Sequence, residues 1–484
     1  MVKNTNEHTR KTRSEQGGPT TNQPLKIGAS TPYDFEGSNM TAYGGLLPVA
    51  TMLEKLQFHQ LIEEHVTIKR VTSSMPGFRF VLAMVLTLYV GFSRLNHLQF
   101  LQRDPMLTGI LEVDSLPVQS TFWRFLTSLH LTAARQLLEV SRHMRQRVWE
   151  AAHVRLNEVT LDTDTTVQTV YGRHMGARKG YNPKRRGKKS YQPILTFVAE
   201  TREYISGELR KGVTVNGKQI AAHLESVFRA LPKGVERRYG RADSGFYCWE
   251  AVEAYEKHDC RFVVAAQKSA SLMAAVQSAR WRGSPRTDAD GQCEFRHQPG
   301  EWPKACRYVA LRYQKEPRPD RKPEQYQLFN GPEYTYRVFV TDMDAPIDVV
   351  TGFYRQRAGA ENLIKEANND AGLAAHPSTR WATNCVHFQL AMLAYNLNCW
   401  LMLFHRDEHV NTTDWHHTTI ATARLRFLFL AAKIVRHAGS VLVRYSDHYA
   451  EKASLGRLMD RLRSIAPKGG RFSPCWQALS ASEQ

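Results

Sequence analysis

The stretch Val159-Thr160-Leu161-Asp162-Thr163-Asp164-Thr165-Thr166-Val167 sets two carboxylates two positions apart among β-branched and apolar residues. In a strand, residues i and i+2 point to the same side, so Asp162, Asp164 and Thr166 share one face. Two carboxylates with no basic residue among them repel unless a cation sits between them. Carboxylate oxygens are the hard donors that Mg²⁺ prefers. An edge strand showing its polar face to water would give the same pattern, so other acids must decide. One is Asp243, in Arg238-Tyr239-Gly240-Arg241-Ala242-Asp243-Ser244-Gly245-Phe246-Tyr247, read as a strand that ends in a sharp Ser-Gly turn. Another is Glu361. Between Asp348 and Asp370 the spacing is helical, and at about 100° per residue Tyr354, Arg357, Glu361, Lys365 and Asn368 cluster on one face. Glu366 points elsewhere. A polar helix face laced with ion pairs is the alternative for this cluster.

The elements around these residues read as follows. Strands are expected at Val159–Val167, Tyr191–Ala199 and Tyr204–Lys211. Asn216 then caps a helix through Ile220, Leu224, Val227 and Leu231. The strand ending at Asp243, a helix over Trp249–Lys257 and a strand over Arg261–Ala266 complete the series. Three meandering strands, a helix, a strand, a helix and a strand is the order of a ribonuclease-H-like α/β core with a mixed sheet. In such a core the first and fourth strands lie side by side, which would bring Asp162 or Asp164 to Asp243.

At 484 residues the chain is long enough for several structural units. Residues 1–40 are polar and lack the apolar run of a signal peptide, so a disordered lead-in is expected. Residues 41–155 carry helical periodicity throughout and are expected to form an all-helical N-terminal domain that binds DNA; helix packing alone would give the same pattern. Residues 156–267 hold the first part of the core, 268–345 a β-rich insertion, and 346–410 the completion of the core with the glutamate helix. In the insertion, Trp281, Trp302 or Tyr308 could offer stacking platforms, although core packing is the commoner fate of such residues. Residues 411–484 read as a helical, basic C-terminal region with Arg424, Arg426, Lys433, Arg436 and Arg444. For that region dimer contact, DNA-end binding and packing all stand open.

A formal charge of +19 favours polyanionic partners, nucleic acid first. The loop after the first strand concentrates that charge: Arg178, Lys179, Lys184, Arg185, Arg186, Lys188 and Lys189 fall within twelve positions. Contact with a phosphate backbone is the expected role. Seven scattered cysteines with no C-x-x-C pair argue against a disulfide framework or a zinc site and fit a reducing cytoplasm. Cys385–Phe404 has the length of a bilayer span, but His387, Gln389, Asn396 and Asn398 within it favour a buried helix, and no membrane association is expected.

Asp164-Thr165-Thr166, Arg241-Ala242-Asp243-Ser244-Gly245-Phe246 and Tyr354-x-x-Arg357-x-x-x-Glu361 together resemble the signature of DDE transposases of bacterial insertion sequences. Ile364-Lys365-Glu366, Asn369-Asp370-x-Gly372-Leu373, Ala394-Tyr395-Asn396-Leu397 and Leu425–Tyr445 are most similar to the insertion sequence 1380 family, over most of residues 41–450. The resemblance implies cutting of transposon ends and joining to target DNA, with two Mg²⁺ ions, for which Mn²⁺ can substitute. It implies Asp164, Asp243 and Glu361 as catalytic metal ligands, with Asp162 a further candidate ligand. Tyr354 and Arg357 would grip DNA phosphates. The family's lysine after the glutamate is Asn368 here, and Lys365 could take its place. A homodimer holding paired ends of double-stranded DNA, in a bacterial cytoplasm at the nucleoid, is implied as well. A nuclease that cuts without joining, and an inactive DNA-binding descendant, are the competing readings.

Overall fold

The computed structural model describes residues 27–69, 75–183, 185–284, 286–314, 333–406, 418–437 and 439–466. Residues 27–38 form a small unit of turns and bends with Tyr33 and Phe35 in edge-to-face contact. The rest of the lead-in, residues 1–26, lies outside the described residues.

Within the second unit, a short strand β1 (Met40–Thr41) precedes six helices: α1 (Leu46–Lys55), α2 (Phe58–His65), α3 (Gly77–Val90), α4 (Pro105–Leu111), α5 (Gln119–Ser128) and α6 (Leu131–Ala151). Then follow β2 (Glu158–Thr165), β3 (Gln168–Thr169), β4 (Arg178–Lys179), β5 (Lys189–Tyr191), β6 (Ile194–Val198), β7 (Tyr204–Glu208), α7 (Gly217–Ala230), β8 (Arg237–Ala242), α8 (Trp249–Lys257) and β9 (Cys260–Ala265). The remainder is α9 (Ala270–Ser278), β10 (Gly291–His297), β11 (Cys306–Gln314), β12 (Tyr334–Thr341), α10 (Ile347–Arg355), α11 (Ala358–Asn369), α12 (Trp381–His405), α13 (Ile420–Ala423), β13 (Ala432–His437), β14 (Ser440–Tyr445) and α14 (Lys452–Ser464).

One eight-stranded sheet runs in the order β10-β11-β12-β9-β8-β2-β6-β7. Its β7-β6-β2-β8-β9 portion pairs β2 with β8 and β8 with β9 in parallel, and β2 with β6 and β6 with β7 antiparallel. That is the topology of a ribonuclease-H-like core, as the element order predicts. The β-rich stretch expected as an insertion continues the same sheet, since β12 pairs antiparallel with β9. The expected strand 191–199 is split into β5 and β6 at Gln192-Pro193, where proline cannot supply a ladder donor.

Asn216 caps α7 with a full capping box, its side chain accepting from Gln219 N while Gln219 reaches back. α12 is buried along almost its whole length. Its polar residues close the sheet edge at β7: Asn396 accepts from Tyr204 N at 2.9 Å and donates to Tyr204 O at 2.8 Å, and Gln389 donates to Gly207 O at 2.8 Å. An edge strand left open would expose unpaired backbone groups. α12 also packs on α3, α5 and α6, so the N-terminal helices share the buried core with the sheet. A buried pair ties these layers: Arg145 of α6 lies 3.3 Å from Glu203, which accepts from Trp149 Nε1 at 2.8 Å and Trp400 Nε1 at 2.7 Å. No single helix among the described residues is long and apolar enough to cross a membrane.

In the C-terminal region, expected to be helical, α13 and α14 are helices but residues 432–445 are not. β13 and β14 form an antiparallel hairpin to which β1 adds a third strand. Ile434, Val435, Val441 and Val443 are β-branched and are flanked by Lys433, Arg436 and Arg444, and Gly439 supplies the turn at φ +78°. Residues 411–417 and 467–484 lie outside the described residues, as does the joint Glu316–Pro323.

Candidate active site

β2 and β8 run parallel with Asp162 beside Arg241 and Thr163 beside Ala242. One position further on, Asp164 and Asp243 stand as neighbours at the carboxyl ends of the two central strands. The alternation that pairs Asp162 with Asp164 also pairs Arg241 with Asp243, so each aspartate of β2 faces a different partner.

Asp162 is clamped. Arg241 Nε donates to its Oδ1 at 2.6 Å and Nη2 to its Oδ2 at 2.8 Å, with both side chains 3% exposed. Arg241 also donates to Phe353 O at 2.8 Å and lies 4.8 Å from the Phe353 ring centroid. Asp162, expected as a further candidate metal ligand, has both carboxylate oxygens engaged by this guanidinium. The cation that the sequence demanded beside it is a guanidinium, and removing one partner of a buried bidentate pair is costly.

Asp164 is buried less completely and is held from outside the sheet. Its Oδ1 accepts from Thr165 N at 2.7 Å and its Oδ2 from Arg357 Nη1 at 2.9 Å. Burial pushes its pKa up to about 6; Arg357 pulls it back and the charge of Asp243 adds to the rise. Asp243 Oδ1 accepts from Gly245 N at 3.0 Å and so caps the tight turn Ser244–Phe246 that the Ser-Gly pair predicts. Its pKa too is raised by burial, against Arg357, with Glu361 adding to the rise.

Glu361 comes from a helix that differs from the expected one. The single helix over 348–370 is broken into α10 and α11, with i→i+3 bonds from Arg357 N to Tyr354 O at 3.0 Å and from Gly359 N to Gln356 O at 3.1 Å. Arg357 stands at the N-terminal boundary of α11 and Glu361 in its first turn, where the helix dipole favours a carboxylate. The break keeps Tyr354, Arg357 and Glu361 together. The Arg357 guanidinium lies 5.7 Å from the Tyr354 ring centroid, and its Nη2 lies 3.5 Å from Glu361 Oε1. Arg357 Nε is buried without a hydrogen-bond partner among the described residues. A cleft of about 610 Å³ opens here, lined by Ser244, Lys268, Arg337, Tyr354, Arg357 and Glu361. A cleft of about 700 Å³ lies at β7 between α6 and α7, away from the carboxylates.

The other expected residues are spread around this edge. Lys365 is exposed on α11, one turn beyond Glu361. Asn368 does not project freely, because its Oδ1 accepts from Gln168 Nε2 at 2.8 Å. Glu366 is buried and accepts from Ile420 N at 2.8 Å. The basic loop is a three-stranded sheet, β3-β5-β4. Arg178, Lys179, Arg185, Arg186, Lys188 and Lys189 are exposed on it, while Lys184 lies outside the described residues. This small sheet is docked on the segment after β7: Gln192 N donates to Arg210 O at 3.1 Å, and a Cβ at Gly212 would overlap the carbonyl oxygens of Ser190 and Arg178. Trp302 and Tyr308 are buried in packing, and Trp281 is half-buried against Tyr336 and Arg312, so the core fate prevails for the first two.

As the side chains stand, no three His, Cys, Asp or Glu among the described residues converge closely enough to hold a metal ion. Arg357, bridging Asp164 and Glu361, occupies the space between the carboxylates. The donor chemistry nonetheless fits a hard divalent cation: three carboxylates, two of them electrostatically strained by burial and by each other.

The sheet order and the acids at the ends of its two central parallel strands define a ribonuclease-H-like protein with an acidic site. The chain belongs to the family described as Transposase DDE domain group 1, whose model matches residues 24–467. No curated protein matches it in sequence. Among solved structures, it is similar to the piggyBac transposase synaptic complex with hairpin DNA at 13% identity and a TM-score of 0.41, over 89% of this chain and 86% of that one. It also matches the Mos1 transposase paired-end complex with left transposon end at 14% identity and a TM-score of 0.16, over 40% of this chain and 61% of that one.

Proposed function

We propose that this chain is a DNA transposase that cuts the ends of an insertion sequence and joins them to target DNA in a cut-and-paste reaction. Its motifs resemble the insertion sequence 1380 family of bacteria, which would put it at the nucleoid in the cytoplasm. The observation that carries this is the meeting of Asp164 and Asp243 at adjacent strand ends with Glu361 brought to them across Arg357.

Asp164, Asp243 and Glu361 would hold two Mg²⁺, or Mn²⁺ in their place. When bound, such a pair of ions activates the attacking oxygen and stabilises the leaving one. Arg357 now neutralises two of the three carboxylates. With cations on the carboxylates, its guanidinium would be free to contact a phosphate, and the unpartnered Nε gives it a spare donor for that contact. Tyr354 supports the guanidinium from beneath. Asp162 and Arg241 are positioning residues that hold the end of β2 in register with β8. Lys365 stands in for the absent lysine at Asn368, because a charged side chain one turn from Glu361 can neutralise a phosphate and an amide already bonded to Gln168 cannot. The exposed cations Arg178, Lys179, Arg185, Arg186, Lys188 and Lys189 line the approach of double-stranded DNA, Lys184 of the same stretch adds its charge, and the N-terminal helices are a second contact. Two copies would hold the paired ends.

The test is a strand-transfer assay with pre-cleaved 3′-hydroxyl ends in Mg²⁺. Joined products are expected. Cut products alone would make the protein a nuclease, and bound DNA without products an inactive descendant; either would overturn the proposal.

A further inference from the structure

The β13–β14 hairpin presents a surface that packing does not explain. Cross-strand pairing sets Lys433 directly opposite Arg444, and Met40 of β1 opposite Lys433 on the other side. Directly opposed residues share a face, so Met40, Lys433, Arg444, Val435 and Leu442 all lie on one side of the ribbon. The other side carries Ala432, Ile434, Val443 and Tyr445, which pack on the core. Lys433 and Arg444 are exposed, as are Met40 at 62% and Leu442 at 47%.

Like charges directly opposite each other on a sheet destabilise it. Nothing nearby offsets the cost, since no acid occurs between residues 432 and 445, and Lys433, Arg436 and Arg444 form no ion pair among the described residues. Arg426, just before the hairpin, is by contrast paired to Glu451 at 2.7 Å. A second copy of the chain is a poor occupant for this face. A two-fold contact sets the same patch against itself, cation against cation, on a chain already at +19. A polyanion resolves the repulsion. The shape agrees, because β14 is an edge strand, the hairpin beyond its pairing with Met40–Thr41 is a two-stranded ribbon, and the major groove of DNA admits such a ribbon.

We infer that the β13–β14 hairpin is a DNA-binding ribbon, gripping duplex phosphates with Lys433 and Arg444 while Leu442 and Val435 lie against the groove. The inference rests on the transposase reading, and adds to it a contact separate from the acidic site and the β3-β5-β4 sheet.

The test uses the full chain carrying Lys433→Thr and Arg444→Thr, with a linear duplex of mixed sequence as probe. Affinity is measured across a salt series, together with thermal melting and mass in solution. Losing two phosphate contacts makes the slope of log K against log salt shallower by about 1.8. Melting does not fall, because the opposed charges are removed and threonine suits a strand. An unchanged slope overturns the inference. An unchanged slope with a loss of dimer mass also overturns it, and makes the ribbon a contact between copies. Wild-type protein that binds no duplex at all would overturn the transposase reading and this inference with it.

Discussion

Asp162 and Asp164 lie on one strand face two residues apart, and the molecule treats them in opposite ways. Asp162 is sealed in a bidentate pair with Arg241 from the neighbouring strand, both side chains 3% exposed. Asp164 is held by a single bond from Arg357, which approaches from a helix boundary and shares itself with Glu361. The first pair is built from one sheet and has no reason to open. The second bridges elements separated by nearly two hundred residues and keeps a spare donor. A sealed charge and a shared one thus sit side by side, told apart by which element supplies the cation.

The largest stability effect should come from the sealed pair. Asp162→Asn leaves the buried Arg241 without its counter-charge and should cost about 3–5 kcal/mol in denaturant unfolding. Replacing both partners with apolar residues should recover most of that loss. An Asp162→Asn protein as stable as wild type would mean that the pair does not hold the strand ends together.

The next effect separates Asp164 from the buried histidines of α7 and α12 by pH. Burial pushes His223 down to about 3 and His387 to about 4, so both stay neutral in the folded chain. Their contribution to stability is full above about pH 6.5 and is lost as the pH falls, with a slope of up to about 1.4 kcal/mol per pH unit for each. Asp164 has the opposite sign. With its pKa raised to about 6, its contribution is full below about pH 4 and is lost as the pH rises through 6. His223→Gln should therefore flatten the acid limb of a melting profile by about one proton, and Asp164→Asn should steepen it. Parallel shifts in the two variants would break the distinction.

Much of this arrangement was legible in the sequence, for local reasons. The period-two pattern around Asp162 and Asp164, the Ser-Gly turn after Asp243 and the Asn216 cap are short-range signals, and each element formed where it was expected. The strand order followed from the alternation of patterns. What was not legible depended on contacts distant in the chain. Arg241 could have been found, since it stands two before Asp243 as Asp162 stands two before Asp164, and parallel register pairs them. The Arg145–Glu203 pair carried no local signal. The break between α10 and α11 was hidden because the helical spacing runs through it. The β13–β14 hairpin was misread because cations interrupt its apolar alternation, although its β-branched residues and Gly439 favoured a strand and turn.

The smallest stability effect should accompany the largest loss of function, and this supplies the most direct test. Asp164→Asn and Asp162→Asn are compared for Mg²⁺-dependent cleavage of a transposon end, at a temperature where melting shows both to be folded. No cleavage is expected from Asp164→Asn, with a smaller loss of stability than in Asp162→Asn, because asparagine keeps the acceptor for Thr165 N and the raised pKa of Asp164 already penalises its charge. Residual cleavage is expected from the less stable Asp162→Asn. Full cleavage by Asp164→Asn, with none by a folded Asp162→Asn, would contradict this and put the catalytic position two residues earlier on the strand.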